Sequence, residues 1–176
     1  MKMKLEQNTI KLAIAAGVLI GSASLSTAVH AATTFDNMIV TTDVAMSCTV
    51  DAGNLDFNTY DPTSSSANDA SAVITSTCTH GGSAKITLDE GGVAATGSSA
   101  AVPLRQMLNS TDASKLAYSL YQNSDRNVVW GNTADTGLGF TAVGGTNTST
   151  VYGRIASGLA ASVGSYADSV AVTLTY

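Results

Sequence analysis

The chain has 176 residues, of which 44% are apolar and 12% charged, with thirteen acidic side chains against eight basic ones and a formal charge of −5. That acidic balance lacks the cationic surface a phosphate backbone demands, so nucleic acid is excluded as a partner. A structural zinc site needs four ligands, and once the N-terminal leader is removed His80 is the only histidine beside the two cysteines, so no metal or other cofactor is expected.

The chain opens with Lys2, Lys4 and Lys11, followed by an apolar run rich in Ala and Gly over residues 12–25. A positive region leading into an apolar one is a secretory signal peptide. A permanent membrane anchor needs about 20 apolar residues, and Ser22, Ser24, Ser26 and Thr27 interrupt this run. Cleavage after Ala31 fits best, with Val29 and Ala31 at the small-residue positions, so residues 1–31 are assigned to the signal peptide. Loss of Lys2, Lys4, Lys11 and Glu6 leaves twelve acidic and five basic side chains, a formal charge of −7. The mature length suits one domain with a single core. No later run is apolar enough over about 20 residues to cross a bilayer, so the mature chain is expected to have no transmembrane segment.

In chain order, the first feature of the mature part is a stripe at Met38, Val40, Thr42, Val44 and Met46, whose alternation has the period of a strand. Cys48 and Cys78 follow, in a chain sent to an oxidising compartment, and a disulfide between them is the natural reading. From residue 34 onward short alternating runs rich in Thr, Val and Ala are separated by turn formers, which is an all-β texture. Strands are predicted at 38–50, 55–60, 72–79, 84–88, 116–122, 128–130, 148–155 and 169–176, and 133–148 is left without an assigned strand. Asp89, Glu90, Gly91 and Gly92 read as a hairpin turn. In the last strand Val170, Val172, Leu174 and Tyr176 share one apolar face, and the sequence stops there with no turn or charge to blunt the edge. Such an edge normally needs a neighbour. The stripe at 38–46 is the candidate, pairing within one chain or between chains. Strands of this length and spacing, without a helical pattern of about ten residues, predict a β-sandwich.

Several landmarks then occur in a recognisable order: Cys48-Thr-Val, Leu55-Asp-Phe57-Asn-Thr-Tyr60-Asp-Pro62, Arg105-Gln-Met107, Leu116-Ala-Tyr118-Ser-Leu120-Tyr121, Trp130-Gly131, Tyr152-Gly-Arg-Ile155 and Gly164-Ser-Tyr166-Ala-Asp168. Together they resemble the spore coat protein U domain across nearly the whole mature chain. The family usually has Gly where this chain has Asn58, a tolerable departure because Asn accepts left-handed backbone better than most residues.

The resemblance implies a subunit of an archaic, Csu-type chaperone–usher pilus. The implied fold is all-β, an incomplete immunoglobulin-like β-sandwich lacking its final strand, with an N-terminal donor strand. On this reading residues 32–47 are the donor segment, with Met38, Val40, Val44 and Met46 as its inserting side chains, and 48–176 the pilin domain. Val170, Val172, Leu174 and Tyr176 would line the acceptor groove. The implied partners are a periplasmic pilus chaperone, an outer-membrane usher and neighbouring subunits; the implied route is export to the periplasm and then to a cell-surface pilus, in support of adhesion and biofilm formation. The single-domain length favours a shaft or adaptor subunit over a two-domain tip adhesin. Two readings remain beside it: an ordinary first strand at 38–46 in a monomeric secreted binding module, carbohydrate-binding or coat-like, and a secreted hydrolase on a sandwich scaffold.

Catalysis has little support in the residues. His80 is the one mature histidine, it sits beside Gly81 and Gly82 at a strand end, and no G-x-S-x-G elbow is present. Asp89-Glu90 and the stretch 51–56 lack the spacing of a calcium loop. Tyr118, Tyr121, Trp130, Tyr152, Tyr166 and Tyr176 sit in or beside predicted strands, where aromatic rings serve packing. Arg105 and Arg154 are expected to pair with Asp168 or another acid and to serve packing and registry.

Overall fold

The computed structural model describes residues 31–176; the predicted signal peptide lies outside the described residues, Ala31 apart. Residues 31–41 have no regular secondary structure and are exposed throughout.

The unit from Thr42 to Tyr176 contains the strands β1 (Cys48–Ala52), β2 (Asn68–Cys78), β3 (Ser83–Leu88), β4 (Arg105–Asn109), β5 (Lys115–Tyr121), β6 (Leu138–Thr141), β7 (Gly145–Ile155), β8 (Tyr166–Ala167) and β9 (Val172–Thr175), and the described residues include no helix. One sheet has the order β1-β2-β7-β5-β4-β8 and the other β6-β3-β9, with every pairing antiparallel. The two form an all-β sandwich, as predicted. Its spine is the β2–β7 pair, in register from Asn68↔Ile155 to Cys78↔Gly145. The inward residues follow the strand period: Ile74 on β2, Ile86 and Leu88 on β3, Leu116 and Leu120 on β5, Val151 and Ile155 on β7 are all buried. At β9 the same period leaves Val172 and Leu174 only half-buried.

The disulfide joins Cys48 and Cys78, which are direct cross-strand partners of β1 and β2. It closes a separation of 30 residues, which in the chain-entropy account stabilises by about 3–4 kcal/mol. It pins the edge strand β1 at the point where the chain enters the sandwich.

Several sequence expectations differ from the structure. Residues 55–60 form no strand: Asp56 accepts a hydrogen bond from the Asn58 amide at 2.7 Å, Asn58 takes φ 54°, and this turn breaks the extended run while Phe57 still drops into the core. The left-handed Asn58 is the position where the family usually has Gly. Of the predicted strand at 38–50 only the stretch from Cys48 is paired, and of 128–130 only a single bridge between Tyr121 and Val129. The stretch 133–148, left without an assigned strand, contains β6 and the start of β7. Finally, Asp89 to Gly92 is not a hairpin, because β3 and the next strand β4 lie in different sheets. Within the chain, β9 pairs with β3, Leu88 opposite Val172 and Ile86 opposite Leu174, and no strand at 38–46 joins it among the described residues.

A second left-handed residue is Ala113, at φ 58° in the β4–β5 connection. Placing a Cβ there costs about 1–2 kcal/mol, while Gly loses about 0.5–1 kcal/mol of additional chain entropy on folding. The strain is the larger figure, so Ala113→Gly is expected to raise stability by about 0.5–1 kcal/mol in chemical denaturation.

Candidate functional site: an open cleft beside the last strand

The final strand is where the sandwich is unfinished. Among the described residues β9 has β3 on one side and no strand on the other, β1 is likewise an edge of its sheet, and the two lie close to each other. Between them opens a cleft of about 450 Å³. One wall is Ala52 at the end of β1 with Gly53, Asn54 and Leu55 after it; the other is Asp168, Ser169, Val170 and Val172. The floor is core: Phe57, Ile74, Leu88, Tyr118, Leu120 and Val151 line the cleft. A sandwich normally closes both faces over such side chains. Here the cleft leads from solvent to the same apolar residues that hold the sheets together.

Of the residues predicted to form an acceptor groove, Val170 and Val172 line the cleft, Leu174 packs against the core beyond it, and Tyr176 is 56% exposed and takes no part in the lining. Of the predicted donor residues, Met38 is 87%, Val40 83% and Val44 79% exposed, as are their neighbours Phe35 and Ile39 at 91% and 85%. Met46 differs. It is half-buried against Gly82, where any Cβ would collide with its sulfur.

At one end of the cleft the apolar lining gives way to a polar network. The Tyr118 hydroxyl donates to Asp168 Oδ2 at 2.6 Å, and the Gly92 amide donates to Asp168 Oδ1 at 2.8 Å. Burial, then Asp168, pushes the Tyr118 phenol well above its ordinary range and keeps it neutral. Behind them Arg105 is 1% exposed, with Nε donating to Asp89 O at 2.7 Å and one terminal nitrogen to Leu88 O at 2.9 Å and Trp130 O at 2.8 Å. Burial lowers the Arg105 pKa, against the pull of Tyr118, Asp89, Asp168 and Glu90. Trp130 is fully buried and its indole N–H donates to Ile86 O at 2.9 Å.

Arg105 donates to backbone carbonyls rather than to an acid, while Arg154 pairs with an acid other than Asp168, as the sequence reading allowed. Asp168 is held by Tyr118 rather than by an arginine. Arg154 instead pairs in bidentate fashion with Asp69 at 2.7 and 2.8 Å, its direct cross-strand partner on β2, and Arg126 approaches the same carboxylate at 3.3 Å. The Arg154 hydrogen bond is the main cause that holds Asp69 below its usual range. Sequence reasoning also missed the Ala52 to Leu55 wall. The one available signal was Gly153, which leaves room for Leu55 and Phe57 against β7.

The molecule is an all-β antiparallel sandwich with its core open along an edge strand, and comparison with known proteins places the chain more closely. The spore coat protein U domain matches residues 34–173, and the chain belongs to that family. Protein U of Myxococcus xanthus is 37% identical over 180 residues, covering 96% of this chain and 99% of the relative. Among solved structures, the chain resembles one chain of the chaperone–tip adhesion subunit pre-assembly complex CsuC–CsuE of the archaic chaperone–usher Csu pili of Acinetobacter baumannii, with a TM-score of 0.57 and 17% identity. The match covers 76% of this chain and only 40% of that one, and at this identity it shows a shared fold. Proteins of this family and fold are structural and non-enzymatic. No helix among the described residues is long and apolar enough to cross a membrane.

Proposed function

We propose that the chain is a structural subunit of an archaic chaperone–usher pilus, polymerising by donor-strand complementation. The observation that carries the reading is the cleft: apolar core left open along the free edge of β9. A strand from another molecule entering it gains ladder hydrogen bonds along the edge and fills the core with alternate side chains. The exposed, unpaired stripe of Met38, Val40 and Val44 has that alternation and is the donor, within a segment of residues 32–47 that precedes the pilin domain of 48–176. Met46 would leave Gly82 to join the other three and marks the donor's C-terminal limit. Four such side chains at about 1.5–3 kcal/mol each give roughly 6–12 kcal/mol before ordering costs, comparable with a domain's whole stability.

The acceptor side is Val170, Val172 and Leu174, with Tyr176 at the rim. Before assembly a periplasmic chaperone strand would occupy the cleft, and an outer-membrane usher would exchange it for the next subunit's donor. The N-terminal residues 1–31 serve export, and the assembled fibre would support surface adhesion and biofilm formation. The runner-up is a monomeric secreted coat or binding module, in keeping with the family's name. Expression of the subunit alone in a bacterial periplasm separates the two. An aggregated or degraded product, rescued by co-expression of a chaperone of this class, is expected; an abundant, heat-stable monomer made without a partner would favour the coat module.

A further inference from the structure

The cleft's second wall is an awkward piece of chain. It crosses from β8 in the larger sheet to β9 in the smaller one, and residues 168–171 between them belong to neither sheet. An unfilled cleft gives that crossing no support from inside. What holds it is a set of reciprocal bonds with the loop after β3. The Asp168 carboxylate takes the Gly92 amide, and the Asp89 carboxylate takes the Ala171 amide at 2.9 Å together with the Gly91 amide at 2.9 Å. Two backbone bonds run between them, Asp89 N–H to Ala171 O at 3.1 Å and Gly92 N–H to Ser169 O at 3.0 Å. Gly91 is required for the approach, because a Cβ there would overlap the Asp168 carboxylate. From the opposite sheet, the Tyr118 hydroxyl reaches Asp168 and Arg105 reaches the Asp89 carbonyl.

Residues that stand far apart in the sequence, Asp89, Arg105, Tyr118 and Asp168, thus meet at one end of the cleft, and two of them, Tyr118 and Asp168, line it. We infer that Asp168, with Tyr118 and Asp89, is a positioning device that keeps the 168–171 wall out of the open core and so holds the cleft ready to receive a strand from a second copy of the chain. This rests on the strand-accepting reading above. Val170 lies within the laced segment and Val172 directly follows it; with Asp168 loosened they would fold further inward over Leu88 and Leu120, closing the cleft by burying their own side chains. The network is therefore needed for accepting a strand and not for donating one.

The test offers the oxidised full-length subunit a fluorescent peptide with the sequence of residues 34–46 during refolding. The wild-type subunit is expected to capture it, and the same peptide carrying Val44→Asp is expected to be left out. Asp168→Ala removes two charge-assisted bonds and is expected to weaken capture by at least about tenfold, and Tyr118→Phe, which keeps the ring, by about three- to tenfold. A purely structural role would lower the melting temperature of the empty and filled subunit equally and leave affinity unmoved; a positioning role lowers affinity at a temperature where near-UV circular dichroism matches wild type. Should Asp168→Ala fail to form its disulfide or its native spectrum, Tyr118→Phe decides alone. Equal capture by wild type and by the folded variants overturns the positioning role and leaves the strand-accepting reading standing. Failure of the wild-type subunit to capture the peptide overturns that reading itself, and the inference with it.

Discussion

Val44→Asp is expected to leave the subunit folded and bound to its chaperone at near wild-type yield, yet to stop fibre growth. Val44 is 79% exposed, so within its own subunit the aspartate stays in water and costs nothing. Carried into a neighbour's cleft, the same carboxylate would meet a floor of Ile74, Leu120 and Val151 with no cation to pair it. An unpaired buried charge costs several kcal/mol, and about 1.4 kcal/mol is a factor of ten in affinity, so the loss per junction is a factor of hundreds or more. Every junction in a fibre repeats it. Val172→Asp is expected to behave differently. Val172 is half-buried, sits opposite Leu88 in the β3–β9 ladder and lines the cleft, so its replacement harms folding, chaperone capture and donor uptake together. Chaperone pull-down and polymer ladders on unheated gels read the two steps separately. Normal ladders from Val44→Asp would remove the N-terminal stripe from the donor role, and loss of chaperone binding as severe as that of Val172→Asp would place Val44 in its own subunit's core.

The parts of the fold that sequence reveals are those where one residue's environment depends on its near neighbours. Leu116, Tyr118 and Leu120 alternate and are buried on β5, and Val172 and Leu174 alternate and face inward on β9. Cys48 and Cys78 are bonded. The strand β4 was invisible for the opposite reason: its inward residues include Arg105 and Asn109, both buried, and an inward arginine reads as a surface residue until the carbonyls that receive it are located. Residues 55–60 carry a strand-like pattern that the turn at Asn58 overrides. The cleft was legible on the β9 side alone. Its other wall and the Tyr118–Asp168 bond depend on which strands are neighbours, and nothing local to Asp168 indicates that the residue 50 positions earlier in the chain supplies its hydroxyl. The same holds for Arg154, whose partner Asp69 lies 85 positions away and is fixed only by the β2–β7 register.

Arg105→Leu is expected to be among the most damaging single changes in the molecule, costing about 4 kcal/mol or more. Replacing a buried ion by an apolar residue is often neutral where its partner can be replaced as well. Here that escape is closed. The acceptors are the backbone carbonyls of Leu88, Asp89 and Trp130, which no substitution can remove. Each carbonyl left buried without a donor costs about 1–3 kcal/mol, against the gain of one well-packed side chain's burial. The losses at the two buried carbonyls of Leu88 and Trp130, with the half-buried one of Asp89, exceed that gain. The site also ties the end of β3 and Trp130 to β4 across the sandwich, so its failure loosens the cleft floor at Leu88. Arg105→Lys keeps the charge but replaces a planar fork by a single ammonium that cannot span three separated carbonyls, and an intermediate loss of about 2–3 kcal/mol is expected. Urea unfolding of the oxidised subunit, with the cleft filled by the 34–46 peptide so that each variant starts from one state, measures both. Leucine within about 1 kcal/mol of wild type would mean that water or a shift of β4 satisfies those carbonyls, and that the guanidinium is not what joins the two sheets at this end.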